Sequence, residues 1–102
     1  MFIHAILFKI NPKEVLIYRK DSKMWARYAK KVKGFIAYFT MQRLGFKNQY
    51  VSIYQWKNKA SCERFMNKLH DWLVAKSKAK VGVLGYYNLK SLDAIKIKTK
   101  KH

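Results

Sequence analysis

An α+β domain with the element order β-α-β-β-α-β is predicted by three observations. Four segments are rich in strand formers and apolar on both faces, two lysine-bearing segments between them repeat their apolar residues at helical spacing, and glycine or proline marks the joints. The 102 residues are enough for one domain, since domains usually run to about 100 to 150 residues. The reading places a single domain at 1–98 and a basic tail at 99–102.

Met1 to Ile10 alternates Phe2, His4, Ile6, Phe8 and Ile10 against Ile3, Ala5, Leu7 and Lys9, which describes an interior strand. Asn11 and Pro12 stop it, because proline lacks the donor a ladder needs. From Lys13 to Lys33 the residues Tyr18, Trp25, Tyr28, Ala29 and Val32 lie on one helical face, with Asp21-Ser22 as a cap for a restart within the helix and Gly34 as its close. Phe35 to Arg43 and Gln49 to Lys57 form a hairpin around Leu44-Gly45-Phe46-Lys47-Asn48. Asn58 then caps a second helix whose stripe is Cys62, Phe65, Met66, Leu69, Trp72 and Leu73. Val81 to Tyr87 reads as the fourth strand, and Ala94 to Lys98, alternating isoleucine with lysine, as a short edge strand.

This is the ferredoxin-like split βαβ order, in which two helices cover one face of an antiparallel sheet. Strands that are apolar on both sides then need a second cover, and another copy of the same sheet supplies it. The expectation is a homodimer, a dimeric α/β barrel.

Composition narrows the function classes. A chain that is 50% hydrophobic and 16% aromatic can fill a core, and no apolar run reaches the roughly 18 to 20 residues of a membrane span. The single cysteine, Cys62, makes neither an intramolecular disulfide nor a cysteine-rich zinc site, so a cytoplasmic protein is expected. The five carboxylates, Glu14, Asp21, Glu63, Asp71 and Asp93, show no pairing on one face, and no metal site is expected. The formal charge of +18 suits a polyanionic partner. Only four of the basic residues are arginines, however, and the lysines are scattered. Binding of nucleic acid is therefore expected to be weak and non-specific. Lys33-Gly34-Phe35-Ile36-Ala37-Tyr38-Phe39 is similar to the third-strand signature of RNA-recognition motifs but lies on the second strand; a basic RNA-binding module is the rival from another class.

Gly34-Phe35 at the start of the second strand, Tyr54-Gln55-Trp56-Lys57-Asn58-Lys59 at the end of the third, and Phe65 on the following helix resemble the antibiotic-biosynthesis-monooxygenase-like group of dimeric α/β-barrel proteins. Trp25, with Phe65, Met66, His70 and Asp71, resembles an uncharacterised bacterial branch of that group. The resemblance implies a ferredoxin-like dimer and a small aromatic ligand, either bound or oxidised without a cofactor; a non-catalytic structural dimer is the alternative. Haem-degrading members place an asparagine on strand one and a tryptophan and histidine on the second helix. Here His4 and Phe65 stand near the first two positions and His70 precedes the third, so no haem motif is carried over.

His70, about 100° from the centre of the second-helix stripe, is the candidate catalytic acid or base. Asp71 points further round, away from the stripe, and is expected to be solvated. Ligand-pocket candidates are His4, Trp25, Trp56, Phe65, Met66, Leu69 and Trp72. Against them stands ordinary packing, in which the tryptophans fill the space between helix and sheet.

Overall fold

The computed structural model describes residues 1–97; the predicted tail, and Lys98 of the predicted edge strand, lie outside them. Its elements are β1 (Phe2–Lys9), a 3-10 turn (Pro12–Glu14), α1 (Val15–Ala29), β2 (Phe35–Gln42), β3 (Gln49–Trp56), α2 (Lys59–Lys76) and β4 (Gly82–Lys90). The four strands make one antiparallel sheet in the order β2-β3-β1-β4, the ferredoxin-like arrangement.

The register sets side chains in rows across the sheet. Asn88, His4, Tyr54 and Tyr38 are successive partners in one row, and Lys90, Phe2, Trp56 and Phe35 in the next. Both rows face the helices, because alternate residues of a strand share a face. The core forms where α2 meets this side: Trp56, Phe65 and Leu73 are almost wholly buried, and Phe2, Ile6, Tyr54, Cys62 and Ala29 join them.

Local chemistry explains the joints. Asn11 accepts the Lys13 amide and Asn58 accepts the Ser61 amide, so the 3-10 turn leading into α1 and α2 itself each start on an asparagine cap. Gly34 has φ +97°, and a Cβ there would collide with the Ser61 hydroxyl at the first turn of α2. It therefore serves both as a left-handed joint and as a seat for the second helix. Gly85 sits beside Leu7, and the Tyr87 ring lies across it, where a Cβ would meet the ring at 2.9–3.2 Å.

Three expectations are corrected. Asp21 and Ser22 do not restart the helix: α1 runs through them, Ser22 Oγ donates to the Tyr18 carbonyl, and Asp21 serves a loop described below. The fourth strand extends to Lys90, because β1 offers it partners as far as Phe2. Of the predicted edge strand, residues 94–97 form none; Ile95 and Ile97 are almost fully exposed.

The sheet's other face is uncovered and apolar. It carries Ile3, Ala5 and Leu7 on β1, Val51 and Ile53 on β3, Phe39 and Met41 on β2, and Tyr87 and Leu89 on β4. Neighbouring strands shield Ala5 and Leu7, whereas Phe39, Met41, Tyr87 and Leu89 are exposed.

Gly34→Ala tests the α2 seat. Positive φ and the clash with Ser61 together should cost about 2–4 kcal/mol, read as a lower midpoint in chemical denaturation. An unchanged midpoint would show that α2 is seated elsewhere.

Candidate functional site

Between the helices and the sheet lies a cavity of about 450 Å³. Its floor is His4, Ile6, Phe8, Ser52, Tyr54 and Trp56 on the central strands, with Val83 and Tyr86 from β4. Tyr18, Asp21, Ser22 and Trp25 of α1 form one wall, and Cys62, Phe65, Met66, His70 and Val74 of α2 the other. The segment after α2 closes part of it through Ser77, Ala79 and Val81.

That closing segment is held by carboxylates of the facing helical region. Asp21 Oδ2 accepts the amides of Lys78 (2.9 Å) and Ala79 (2.8 Å), and Glu14 Oε1 accepts that of Lys80 (2.7 Å). Trp25 Nε1 donates to Ser77 Oγ at 2.8 Å, and Ser77 Oγ in turn donates to the Leu73 carbonyl. Two of the five acids in the chain thus neutralise no lysine side chain but fix backbone donors at the cavity wall. Sequence reasoning missed this because contacts 57 and 66 residues apart leave no local signal.

The cavity brings together six of the eight predicted site residues: His4, Trp25, Trp56, Phe65, Met66 and His70. Leu69 packs against the core and Trp72 stands outside, exposed on the edge of Tyr28 and beneath Lys76. At 100° per residue, Met66 and His70 lie about 40° and 80° to one side of Cys62, while Leu69 and Trp72 lie about 20° and 80° to the other. The cavity is on the first side. The tryptophans do not fill it: Trp25 and Trp56 are walls, and Trp72 is absent from the space.

His70 is half exposed, lies edge-on to Trp25 at 5.7 Å, and has Nδ1 3.0 Å from Asp71 Oδ1. Asp71 is fully exposed, yet it reaches its neighbour's ring, contrary to the expectation that it points away. His4 is held differently, with Nδ1 2.7 Å from Asn88 Oδ1 and its ring between Tyr54 and Tyr86.

Hydroxyls cluster at the floor. Tyr18 and Ser52 are 2.6 Å apart, and Tyr38 donates to Ser52 at 3.0 Å. Burial pushes the Tyr18 and Tyr54 phenols well above the usual range, so both remain protonated donors at neutral pH. Burial, reinforced by Glu63, pushes the Cys62 thiol up to about 11; a buried neutral thiol is no nucleophile. Trp56 Nε1 is buried without a hydrogen-bond partner among the described residues. Among the described residues no three His, Cys, Asp or Glu side chains gather as a metal would require. No helix among them is long and apolar enough to cross a membrane.

A separate basic cleft lies at the start of α2, lined by Lys33, Gly34, Lys57, Asn58, Ser61 and Arg64. Several of its polar groups are already engaged: Arg64 donates to the Lys33 carbonyl and to Ser61 Oγ, and Ser61 Oγ donates to Asn58.

No protein-family model matches the chain, and no curated protein matches it significantly. Solved structures do. A protein of Deinococcus radiodurans assigned as an antibiotic biosynthesis monooxygenase aligns over 97% of this chain and 100% of its own, with TM-score 0.78 and 15% identity. SnoaB, a cofactor-independent oxygenase of Streptomyces nogalater, aligns over 92% and 95%, with TM-score 0.72 and 11% identity. A Nitrosomonas europaea protein assigned to the same monooxygenase group aligns over 91% and 100%, with TM-score 0.67 and 10% identity. The chain has the ferredoxin-like fold of antibiotic-biosynthesis-monooxygenase-like proteins.

Proposed function

We propose that this protein is a cytoplasmic homodimer that binds a small, flat aromatic ligand in the helix-side cavity of each subunit and acts on it as a cofactor-independent, monooxygenase-like enzyme. The observation that carries this reading is the cavity itself, about 450 Å³ in volume and walled mainly by aromatic and aliphatic side chains with a few hydrogen-bonding groups. The fold shared with a cofactor-independent oxygenase supports it. Fold alone does not settle chemistry, so the argument rests on the residues.

His70 is the proposed acid–base group at the α2 wall. Its Nδ1 is taken up by Asp71, which leaves Nε2 to accept a proton from a ligand held against Trp25. The apolar walls keep water from the ligand, and the chain's own part in the reaction is to position the ring and move a proton. Titration of haemin and of flat aromatic acids into native protein and His70→Ala should give saturable binding of the aromatic acids, about tenfold weaker in the variant for the loss of one hydrogen bond. Equal binding by both would remove His70 from the site, and absence of binding would remove the ligand reading.

The uncovered sheet face supports the dimer, because exposed Phe39, Met41, Tyr87 and Leu89 gain most from a second apolar sheet. Light scattering coupled to size exclusion should give twice 12.2 kDa. A monomer that persists at micromolar concentration would sink the barrel.

The same face argues against an RNA-binding module. Base stacking in such folds uses aromatics on the central strands, and here the exposed side of β1 and β3 offers Ile3, Ala5, Leu7, Val51 and Ile53. Binding of labelled single-stranded RNA should be weak, insensitive to sequence, and largely lost between 50 and 200 mM salt, scales on which lysine–phosphate contacts lose orders of magnitude, roughly 10³-fold or more. Tight, sequence-selective binding at the higher salt would reverse the assignment.

A further inference from the structure

Resting on the cavity reading above, we infer that the floor of the cavity is a proton-accepting subsite for a ligand hydroxyl, built from His4 and Tyr54 and aligned by Asn88. These three residues are consecutive partners across β4, β1 and β3, so the register places them side by side on the helix-facing side of the sheet. Cross-strand neighbours of this kind hold their Cβ atoms about 4.5–5.5 Å apart. The His4 and Tyr54 ring centroids are 6.4 Å apart.

The tautomer of His4 follows from its partner. An amide oxygen only accepts, so the 2.7 Å contact with Asn88 Oδ1 puts the ring proton on Nδ1 and leaves the lone pair on Nε2. Tyr86, stacked on the ring at 19°, fixes its plane from β4. Tyr54 supplies the complementary group. It is only 5% exposed and lines the cavity, and its hydroxyl makes no hydrogen bond among the described residues. Its hydroxyl thus remains open to the cavity as a donor for a ligand oxygen.

One ligand oxygen satisfies both groups. Its O–H donates to His4 Nε2, while its lone pair accepts from the Tyr54 hydroxyl. On proton transfer the ligand O–H bond breaks and the His4 Nε2–H bond forms. The electron pair stays on the ligand oxygen, and the resulting anion sits between an imidazolium and a phenol donor. Burial keeps Tyr54 protonated throughout, so it donates to the anion and does not compete for its proton. The other titratable groups lining the cavity are Tyr18 and Asp21 on α1, Cys62 and His70 on α2, and Tyr86 on β4. Asp21 is spent on loop amides, Tyr18 on Ser52, and Cys62 stays a thiol. The ligand class is an aromatic with an acidic hydroxyl. His4 touches it, and Asn88 acts through His4 as a positioning residue.

4-Nitrophenol reports the state of such a hydroxyl directly, since phenol and phenolate absorb at different wavelengths. Titrated with pH in the presence of saturating native protein, the probe should show a phenolate-to-phenol ratio tenfold or more above that of free probe at the same pH. His4→Gln and Tyr54→Phe should abolish that excess. Asn88→Leu, on an exposed edge strand where folding is not at risk, should reduce it severalfold while binding remains. Trp72→Phe, outside the cavity, should keep it. Circular dichroism confirms that each variant is folded, and Asn88→Leu carries the test if the floor variants are not. Full excess in His4→Gln, no change in Asn88→Leu, or loss of the excess in Trp72→Phe would overturn this subsite and leave the cavity reading standing. Failure of the native protein to bind the probe or any flat aromatic acid would overturn both.

Discussion

Everything on the helix side of this molecule depends on how Phe65 is seated. Its ring is 2% exposed and lies against Trp56 at 5.4 Å, Tyr54 at 6.0 Å and Trp25 at 6.2 Å, so one side chain of α2 touches the sheet floor and the facing helix together. Aromatic contacts of this size hold a helix firmly but at a distance from the strands. Leu73 and Trp56 are fully buried in the same cluster, and space remains on the His70 side of the helix. The cavity is a consequence of large rings chosen for the seat where small ones would have let α2 collapse onto the sheet.

The charge of the chain is managed in an unusual economy. With 23 basic and five acidic side chains, conventional ion pairs cannot form in number, and among the described residues the one contact of that kind is His70 with Asp71. Asp21 and Glu14 are instead turned to backbone amides of the lysine-bearing segment after α2. A carboxylate accepting amide donors is worth more than an exposed pair with a flexible lysine, which is commonly below about 1 kcal/mol. Several basic side chains lie over aromatic rings, Lys31 on Tyr28, Arg43 on Phe46 and Lys76 on Trp72, where the cation stays in water and the stem covers apolar surface.

What could be read in advance follows from the range over which each feature is encoded. The element order, the Asn58 cap and the Gly34 joint depend on residues within one turn or one strand, and local spacing reveals them. His4, Trp25, Trp56, Phe65, Met66 and His70 could be singled out because polar or bulky residues on apolar stripes are conspicuous. The choice of cavity side could not be made from the spacing alone: His70 and Trp72 lie at equal angles either side of Cys62, and only the packing of α2 on the sheet and α1 places His70 in the cavity. Asp21 looked like a helix cap because nothing near it in sequence announces Lys78 and Ala79. The Asn88–His4–Tyr54 row was equally silent, since it exists only once three strands are in register. The segment at 94–97 shows the converse, a strand-like alternation that pairs with none of the four strands.

The sheet separates two apolar demands that would otherwise compete. Ile6, Tyr54 and Trp56 meet the helices on one side, while Ile3, Ile53 and Phe39 await cover on the other, and successive residues of the same strands serve both. A second copy placed on the open face would therefore leave the cavity, which lies on the opposite side of the sheet, untouched. It would also stiffen the floor, because His4 stands between Ile3 and Ala5, and Tyr54 between Ile53 and Gln55, on backbone that the partner would clamp from behind. In the proposed dimer, association and ligand handling would act through adjacent positions on the same two central strands. A substitution at Ile3 or Ile53 would then reach the cavity through the backbone, whereas one at Phe39 or Leu89, on the edge strands, would bear on association alone.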